Sequence, residues 1–271
     1  MVIAPFDEKL RRQALKRGTA FVASNSLTSF FSLSVLYQRL RLNYCLEGCV
    51  LHSSALKAIE KVLKAEGKVK PSFDEYCVLK ALMTLYEEEP VGRLLLSRKL
   101  KMGEAATRTL IRRLRKEGLI AVDSIGGCFL SDAGKKLVSN IRKVVKEVKV
   151  FQKAQLGSLA LGNVACAASI ACGCKLFERG LRVFDLRDEV VRFGGLAALI
   201  VKIEHGEAIL PANGGQVFSE KDYPELKMLK TELKADEGDL IIVAYADSEE
   251  AAEKALLNAL VKGKVSAIFE S

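Results

Sequence analysis

The side chains with the clearest chemical potential are nine basic residues within positions 92–118. They are Arg93, Arg98, Lys99, Lys101, Arg108, Arg112, Arg113, Arg115 and Lys116. The same positions hold two acidic residues, Glu104 and Glu117, so nine minus two gives a charge of +7, against +9 for the whole chain. Ammonium and guanidinium groups at this density attract phosphates, and guanidinium groups also form paired hydrogen bonds with guanine. The pattern therefore predicts contact with a nucleic acid.

Apolar spacing places many of these residues on a helix with one buried face. Intervals of three and four residues separate the positions expected to face inward, which are Thr107, Leu110, Ile111 and Leu114. The opposite face carries small, polar and basic residues, which are Ala105, Arg108, Thr109, Arg112, Arg113 and Lys116. A solvated cationic face is the alternative interpretation of such a helix. The flanking elements favour the nucleic-acid interpretation.

Two kinds of contact are predicted for this surface. We expect Arg108, Thr109 and Arg112 to read bases, because guanidinium groups bind guanine edges and threonine offers a hydroxyl and a methyl group. The small side chain of Ala105 permits a close approach of the helix backbone. Phosphates are expected to be held by a second set of side chains, namely Arg93, Ser97, Lys99, Arg113 and Lys116.

The flanking segments complete the order of a winged helix-turn-helix domain. A capping-box pattern at positions 72–75 opens a helix to about Tyr86, and Pro90 separates it from a second helix that ends near Leu100. After the basic helix, positions 119–122 and 128–130 predict two short strands, and a further helix is predicted to about Glu147. Three helices, a two-stranded wing and a closing helix describe this domain class.

Length and composition allow two domains. The chain has 271 residues, of which 49% are apolar. We place the winged helix-turn-helix domain at residues 55–150 and an effector-sensing or dimerising domain at residues 153–271. Residues 1–54 fit neither domain, and we expect either a poorly ordered arm or a gene start assigned too far upstream. Their longest uncharged run, positions 18–38, is too polar for a membrane span.

The second domain has the element order β-α-β-β-α-β with an extra helix. Apolar runs predict its strands at positions 164–171, 199–203, 208–210 and 239–246. Helical patterns lie at positions 185–193, 223–233 and 247–262. This is the order of a ferredoxin-like split βαβ domain. The predicted fold class is therefore α+β, a winged helix-turn-helix followed by a ferredoxin-like domain.

Patterns for catalysis and metal binding are weak. Cys166, Cys172 and Cys174 lack a fourth cysteine or a nearby histidine, and the apolar run around them favours buried residues over a zinc site. Neither a phosphate-binding loop nor a dinucleotide fingerprint is present. We expect no metal, no cofactor and no enzyme, although carboxylate or lysine chemistry stays open. Seven scattered cysteines do not form a disulfide framework, so we expect a cytoplasmic protein.

From about Ala55 to its end, the chain resembles a family of uncharacterised archaeal proteins that pair a winged helix with a C-terminal α/β domain of unknown function. In the first domain the resemblance rests on Gly92-Arg93, Gly103-Glu104, Arg108-Thr109-Leu110, Gly118-Leu119-Ile120 and Gly126-Gly127. In the second it rests on positions 186–193, 209–211, 223–225 and 237–239. The resemblance implies an archaeal source and a transcriptional regulator, and it supplies no catalytic or ligand-binding residues.

Three functional hypotheses follow. The leading one is a sequence-specific regulator that binds double-stranded DNA as a homodimer and senses a small-molecule effector or dimerises through its C-terminal domain. The second is a small-molecule-binding module whose winged helix mediates protein or RNA contacts. The third is an enzyme built on the C-terminal domain. Binding to a fixed DNA site that survives rising salt distinguishes the first hypothesis from the second.

Overall fold

The first half of the described chain consists of helices and one hairpin. A computed structural model of the protein describes residues 56–65, 70–123, 126–212 and 215–263. The elements of the first half are α1 (residues 56–63), α2 (Glu75–Glu88), α3 (Arg93–Leu100), α4 (Glu104–Lys116), β1 (Ile120–Asp123), β2 (Gly127–Leu130) and α5 (Asp132–Val144). This order confirms the predicted winged helix-turn-helix. The proposed N-terminal arm, residues 1–54, lies outside the described residues.

Helix α2 begins later than the capping-box pattern predicted. The side chain of Asp74, rather than that of Ser72, accepts a hydrogen bond from the backbone N–H of Cys77 at 3.3 Å. The inward face of the helix includes Leu82, which belongs to the same hydrophobic core as Leu110 of α4. Packing of apolar faces, rather than helix propensity alone, therefore fixes the orientation of α4.

A strand replaces the expected end of helix α5. The helix was predicted to run to about Glu147, but it ends at Val144, and β3 (Val145–Gln152) follows without a linker. Strand β3 pairs antiparallel with β4 (Val164–Ile170) and is therefore part of the second sheet. The second structural unit thus begins at Val145 rather than at the predicted boundary, Lys153. Because a helix of the first unit runs directly into a strand of the second, the two are joined without a flexible tether.

The second unit is built around a six-stranded antiparallel sheet. After β3 and β4, its strands are β5 (Ala197–Glu204), β6 (Glu207–Pro211), β7 (Val217–Phe218) and β8 (Leu240–Ala246). Within the described residues the strand order is β3-β4-β8-β5-β6-β7. The chain order confirms β-α-β-β-α-β, but the sheet differs from a ferredoxin-like sheet, in which the last strand lies at an edge. Here β8 is a central strand. All seven of its side chains are apolar and buried, which is expected of a strand that is covered on both faces.

Helices cover both faces of this sheet. The helices of the second unit are α6 (Lys153–Leu156), α7 (Lys175–Glu178), α8 (Val183–Arg192), α9 (Pro224–Glu232) and α10 (Glu249–Lys262). One face forms a core with α8 and α10 that includes Val190 and Leu256. The other face forms a core with α9 that includes Leu226 and Leu229. The result is a three-layer α+β unit.

The two units share one hydrophobic core and a line of ion pairs. Residues of α2 and α10 belong to the same buried cluster. Ion pairs across this junction join Asp74 to Lys254 at 3.0 Å, Glu75 to Lys262 at 2.6 Å, Lys101 to Glu250 at 3.3 Å, and Lys80 to Glu253. In addition, the hydroxyl of Tyr76 donates to Glu253 at 3.0 Å. These contacts hold the winged helix against α10.

Candidate nucleic-acid interface

A tight turn between α3 and α4 sets the direction of the basic helix. Lys101 adopts a left-handed conformation with φ 50°, and Gly103 occupies the N-cap of α4. The hydroxyl of Ser97 donates to the carbonyl of Met102 at 2.7 Å, and the N–H of Met102 donates to the carbonyl of Ser97 at 3.0 Å. Ser97 is buried within this turn. The expectation that Ser97 contacts phosphate is therefore wrong, because its hydroxyl is used to build the turn.

The burial pattern of α4 confirms the predicted inward face. Thr107, Leu110 and Leu114 are buried, and Ile111 is half-buried against the same core. The outward face carries exposed side chains, which are Ala105, Arg108, Arg112, Arg115 and Lys116. The hydroxyl of Thr109, which is half-buried, donates to the carbonyl of Ala105 at 3.0 Å, so only its acceptor positions remain for a base.

Arg113 is buried, although the sequence predicted that it lies on the outward face of α4. Its guanidinium donates from one terminal nitrogen to the carbonyl of Val62 at 2.9 Å and to that of Lys64 at 2.7 Å, and it lies 5.9 Å from the centre of the Phe73 ring. The residue is only 6% exposed. Arg113 therefore satisfies carbonyls at the end of α1 and does not face a groove. The expectation that Arg113 contacts phosphate is wrong.

Arg115, which was not among the residues expected on the outward face, is exposed beside Arg108 and Arg112. It follows Arg112 by three residues and Arg108 by seven, so the three arginines lie along one stripe of the helix. We call Arg108, Arg112 and Arg115 the arginine stripe. The i, i+4 and i+7 spacing of Arg108, Arg112 and Arg115 is the sequence signal that indicates this stripe. The stripe gives α4 a row of exposed guanidinium-bearing residues.

Two of the expected phosphate contacts lie on or near α3. Arg93 is exposed at the first turn of that helix. Lys99 forms an ion pair with Glu88 at 2.5 Å, and both side chains remain partly exposed. Exposed ion pairs of this kind contribute roughly 0–1 kcal/mol, so a phosphate can displace Glu88. The phosphate contacts predicted for Arg93 and Lys99 therefore remain predictions.

The wing is attached to α3 by a third strand segment. Strands β1 and β2 pair antiparallel, and Val91 exchanges two backbone hydrogen bonds with Cys128, each 2.9 Å long. A Cβ atom at Gly127, where φ is +97°, would lie 2.8 Å from the carbonyl oxygen of Val91. Glycine is therefore required for this close approach. Positions 124–125 at the tip lie outside the described residues.

A carboxylate supports the base of the wing. Glu89 accepts from the backbone N–H of Leu130 at 2.9 Å and forms an ion pair with Lys135 at 2.6 Å. The hydrogen bond from Lys135, followed by the one from Leu130, lowers the pKa of Glu89. This pair links the start of α5 to the segment before α3, so it helps to fix the wing beside the helix-turn-helix.

The described residues outside the winged helix offer little for a metal or a thiolate. No group of three or more His, Cys, Asp or Glu side chains in the described ranges could hold a metal ion. Cys166 is buried in β4, and burial raises the pKa of its thiol. Burial also raises the pKa of Cys174 to about 11, and its thiol donates to the carbonyl of Asp239 at 3.1 Å. Among the described residues, no helix is long and apolar enough to cross a membrane.

Comparison with known proteins gives separate family matches for the two parts of the chain. Residues 75–145 match the family model of the CggR N-terminal DNA binding domain. Residues 161–263 match a domain of unknown function, DUF4443. No curated protein matches the chain.

A solved structure of a hypothetical protein from Pyrococcus horikoshii OT3 is similar in fold. It is 24% identical in sequence and superposes with a TM-score of 0.52 over 70% of this chain and 94% of its own. At that identity the likeness is informative about the fold alone. Taken with the two family matches, it fits a winged-helix protein with a C-terminal domain of unknown function. The match of the first domain supports DNA as its partner.

Proposed function

We propose that this protein is a sequence-specific transcriptional regulator that binds double-stranded DNA through α4. The observation that carries the proposal is the arginine stripe, which lies exposed on a helix whose other face is buried in a core. A helix of this kind fits the major groove, where arginine pairs with the two acceptors of guanine. Arg108 and Arg112 would read bases with Thr109, and Ala105 would allow close approach.

Phosphate contacts would orient α4 in the groove. The proposed phosphate contacts are Arg93 at the start of α3, Lys99 near its end and Lys116 at the end of α4. Such contacts fix register and carry most of the salt dependence, while the base contacts carry specificity. Arg115 joins the proposed set at the edge of the outward face.

The C-terminal unit would act as the sensing and dimerising part rather than as an enzyme. Its exposed apolar side chains include Phe184, Val191 and Leu196, on or just after α8. Pairing of two copies would remove such side chains from water, and twofold symmetry would place two recognition helices on two half-sites. Light scattering of the full chain tests the homodimer, and a monomer at high micromolar concentration would contradict it.

A protein partner for the winged helix is the second candidate function. Leu94 and Leu95 of α3 are 53% and 46% exposed, and Phe129 of the wing is 36% exposed. Apolar side chains in the open are a feature of protein-contact surfaces. DNA does not use them as readily, because its grooves and backbone are polar.

Selection of bound sequences from random duplex DNA tests the proposal. The full chain should enrich one short motif, and the enrichment should persist as salt approaches physiological concentration, because base contacts survive when phosphate contacts weaken. Loss of all preference at that salt would favour the protein-binding alternative.

A further inference from the structure

A cavity lies at the junction of the winged helix and the sheet unit. It has a volume of about 220 Å³. One wall comes from α2, a second from the place where α5 becomes β3, and a third from α10. The volume is smaller than the roughly 300–1,000 Å³ typical of pockets for drug-sized ligands, so an occupant must be small.

Most of the charged groups that line this cavity are already paired. Lys80 is held by Glu253, and both line the cavity. Lys146 is bonded to Asp239 at 2.7 Å and to Asp236 at 2.8 Å, which lie outside the lining. Glu147 forms an ion pair with Lys234 at 2.5 Å, and this contact lowers the pKa of Glu147. Lys80 and Glu253 therefore neutralise each other. Lys146 and Glu147 are neutralised by side chains that lie outside the cavity lining.

Two residues of the cavity lining, one basic and one acidic, take no part in these ion pairs. Within the described residues, neither Arg142 nor Glu87 forms a hydrogen bond or ion pair through its side chain, and the two are not paired with each other. The Arg142 guanidinium lies 5.4 Å from the centre of the Tyr86 ring, and this cation–π contact leaves its hydrogen-bond donors available. The charge of Arg142 contributes to the lowered pKa of Glu147, but neither the Arg142 nor the Glu87 side chain is occupied by a hydrogen bond or ion pair.

Part of the cavity lining, which we call the floor, is apolar. Met83 of α2, Val148 of β3 and Leu257 of α10 contribute to it. A ligand that matches the site needs a carboxylate for Arg142, an ammonium group for Glu87 and a short apolar part for the floor. Both residues are exposed, and such a ligand would give each of them a charge-assisted hydrogen-bond partner.

We propose that this cavity binds a small zwitterion of the α-amino acid type, with its carboxylate on Arg142 and its ammonium on Glu87. The consequence for regulation rests on the proposed function, because the cavity walls belong to both the DNA-binding unit and the sheet unit. A ligand that contacts α2 and α10 together changes the balance of contacts that holds the winged helix in place. The ligand then shifts DNA affinity only if it binds the DNA-bound and the DNA-free protein unequally.

Calorimetry of the full chain without DNA tests the site directly. The common α-amino acids are titrated at millimolar concentration, and each one that binds is compared with its N-acetyl and its carboxamide derivative. Each derivative lacks one of the two charges, so each should bind about 10- to 100-fold more weakly. Absence of binding by every amino acid overturns the proposal. Equal binding of acetate or inorganic phosphate overturns the requirement for the amine.

Variants locate the binding in this cavity. Arg142→Gln and Glu87→Gln should each weaken the amino acid about 10- to 100-fold, and Arg142→Gln should remove the penalty for the carboxamide. Lys143→Gln and Glu178→Gln, which change exposed charges outside the lining, serve as matched controls and should leave binding unchanged. Unchanged binding in both cavity variants overturns the assignment. DNA binding is measured separately, so a protein that binds DNA but no amino acid contradicts the cavity alone.

Discussion

Replacement of Arg113 by methionine should destabilise the protein without acting at the DNA surface. The side chain is 6% exposed, donates to the carbonyls of Val62 and Lys64, and stacks near Phe73. Methionine keeps most of the volume of the stem but none of the donors. The two carbonyls at the end of α1 then lose their partner, and α1 loses its attachment to α4.

The expected magnitude follows from these contacts. A hydrogen bond to a charged group contributes about 1.5–3 kcal/mol, and the contact with the aromatic ring adds about 0.5–2 kcal/mol. Relief from burying a charge offsets part of this loss, so we expect a net cost of about 2–4 kcal/mol. With a urea slope of about 2 kcal/mol per molar, the middle of the usual range, the unfolding midpoint should fall by about 1–2 M.

The adjacent arginine provides the matched control. Arg112 is exposed on the outward face, so Arg112→Met should cost under about 0.5 kcal/mol of stability. Urea unfolding followed by circular dichroism measures both variants under the same conditions. Equal midpoints for the two variants, or a larger loss for Arg112→Met, would refute the placement of Arg113 and with it the register of α4.

Three further changes test the fold. Leu110→Ala should cost about 2–5 kcal/mol in urea unfolding, because it empties a fully buried site in α4; a loss below about 0.5 kcal/mol would contradict this packing. Gly134→Ala should lower the melting temperature strongly, since its Cβ would lie 2.0 Å from a backbone oxygen, whereas Gly103→Ala, with open space around it, should not. For Asp74, burial acts to raise the pKa, but hydrogen bonds and the charge of Lys254 outweigh it, so the folded pKa lies below 3.8. The resulting stability is present above about pH 4 and lost as pH falls through the folded value; Asp74→Asn keeps the N-cap and should flatten this acid limb, and an unchanged limb would count against the ion pair.

The sequence predicted the parts of the fold that depend on local patterns. The spacing of Leu110 and Leu114 follows the helical period, and the order of helices and wing strands follows from caps and turn residues. The apolar run at 239–246 predicted a strand. The strand observed there, Leu240–Ala246, has all of its side chains buried in the sheet. These features depend on neighbours along the chain, so a single sequence contains them.

Features that depend on distant partners could not be predicted in the same way. Arg113 appeared to be a surface cation, because nothing near it in sequence shows that the end of α1 lies against it. Ser97 appeared available until the turn to Met102 closed on its hydroxyl. Strand β3 continues from α5 and is recognisable only through its pairing with β4. The central place of β8 is likewise a property of the sheet and not of any one strand.

The proposed function requires that Arg108 and Arg112 read bases while Arg93 holds a phosphate. A salt titration of DNA binding by the wild type, Arg112→Ala and Arg93→Ala, on the selected motif and on a random duplex, tests it most directly. Arg112→Ala should cost about 1–3 kcal/mol on the motif and much less on the random duplex. Arg93→Ala should weaken both duplexes alike and reduce the salt slope by about one unit. If the two variants behave identically, or if neither changes binding, the stripe is a solvated surface and the proposed function is wrong.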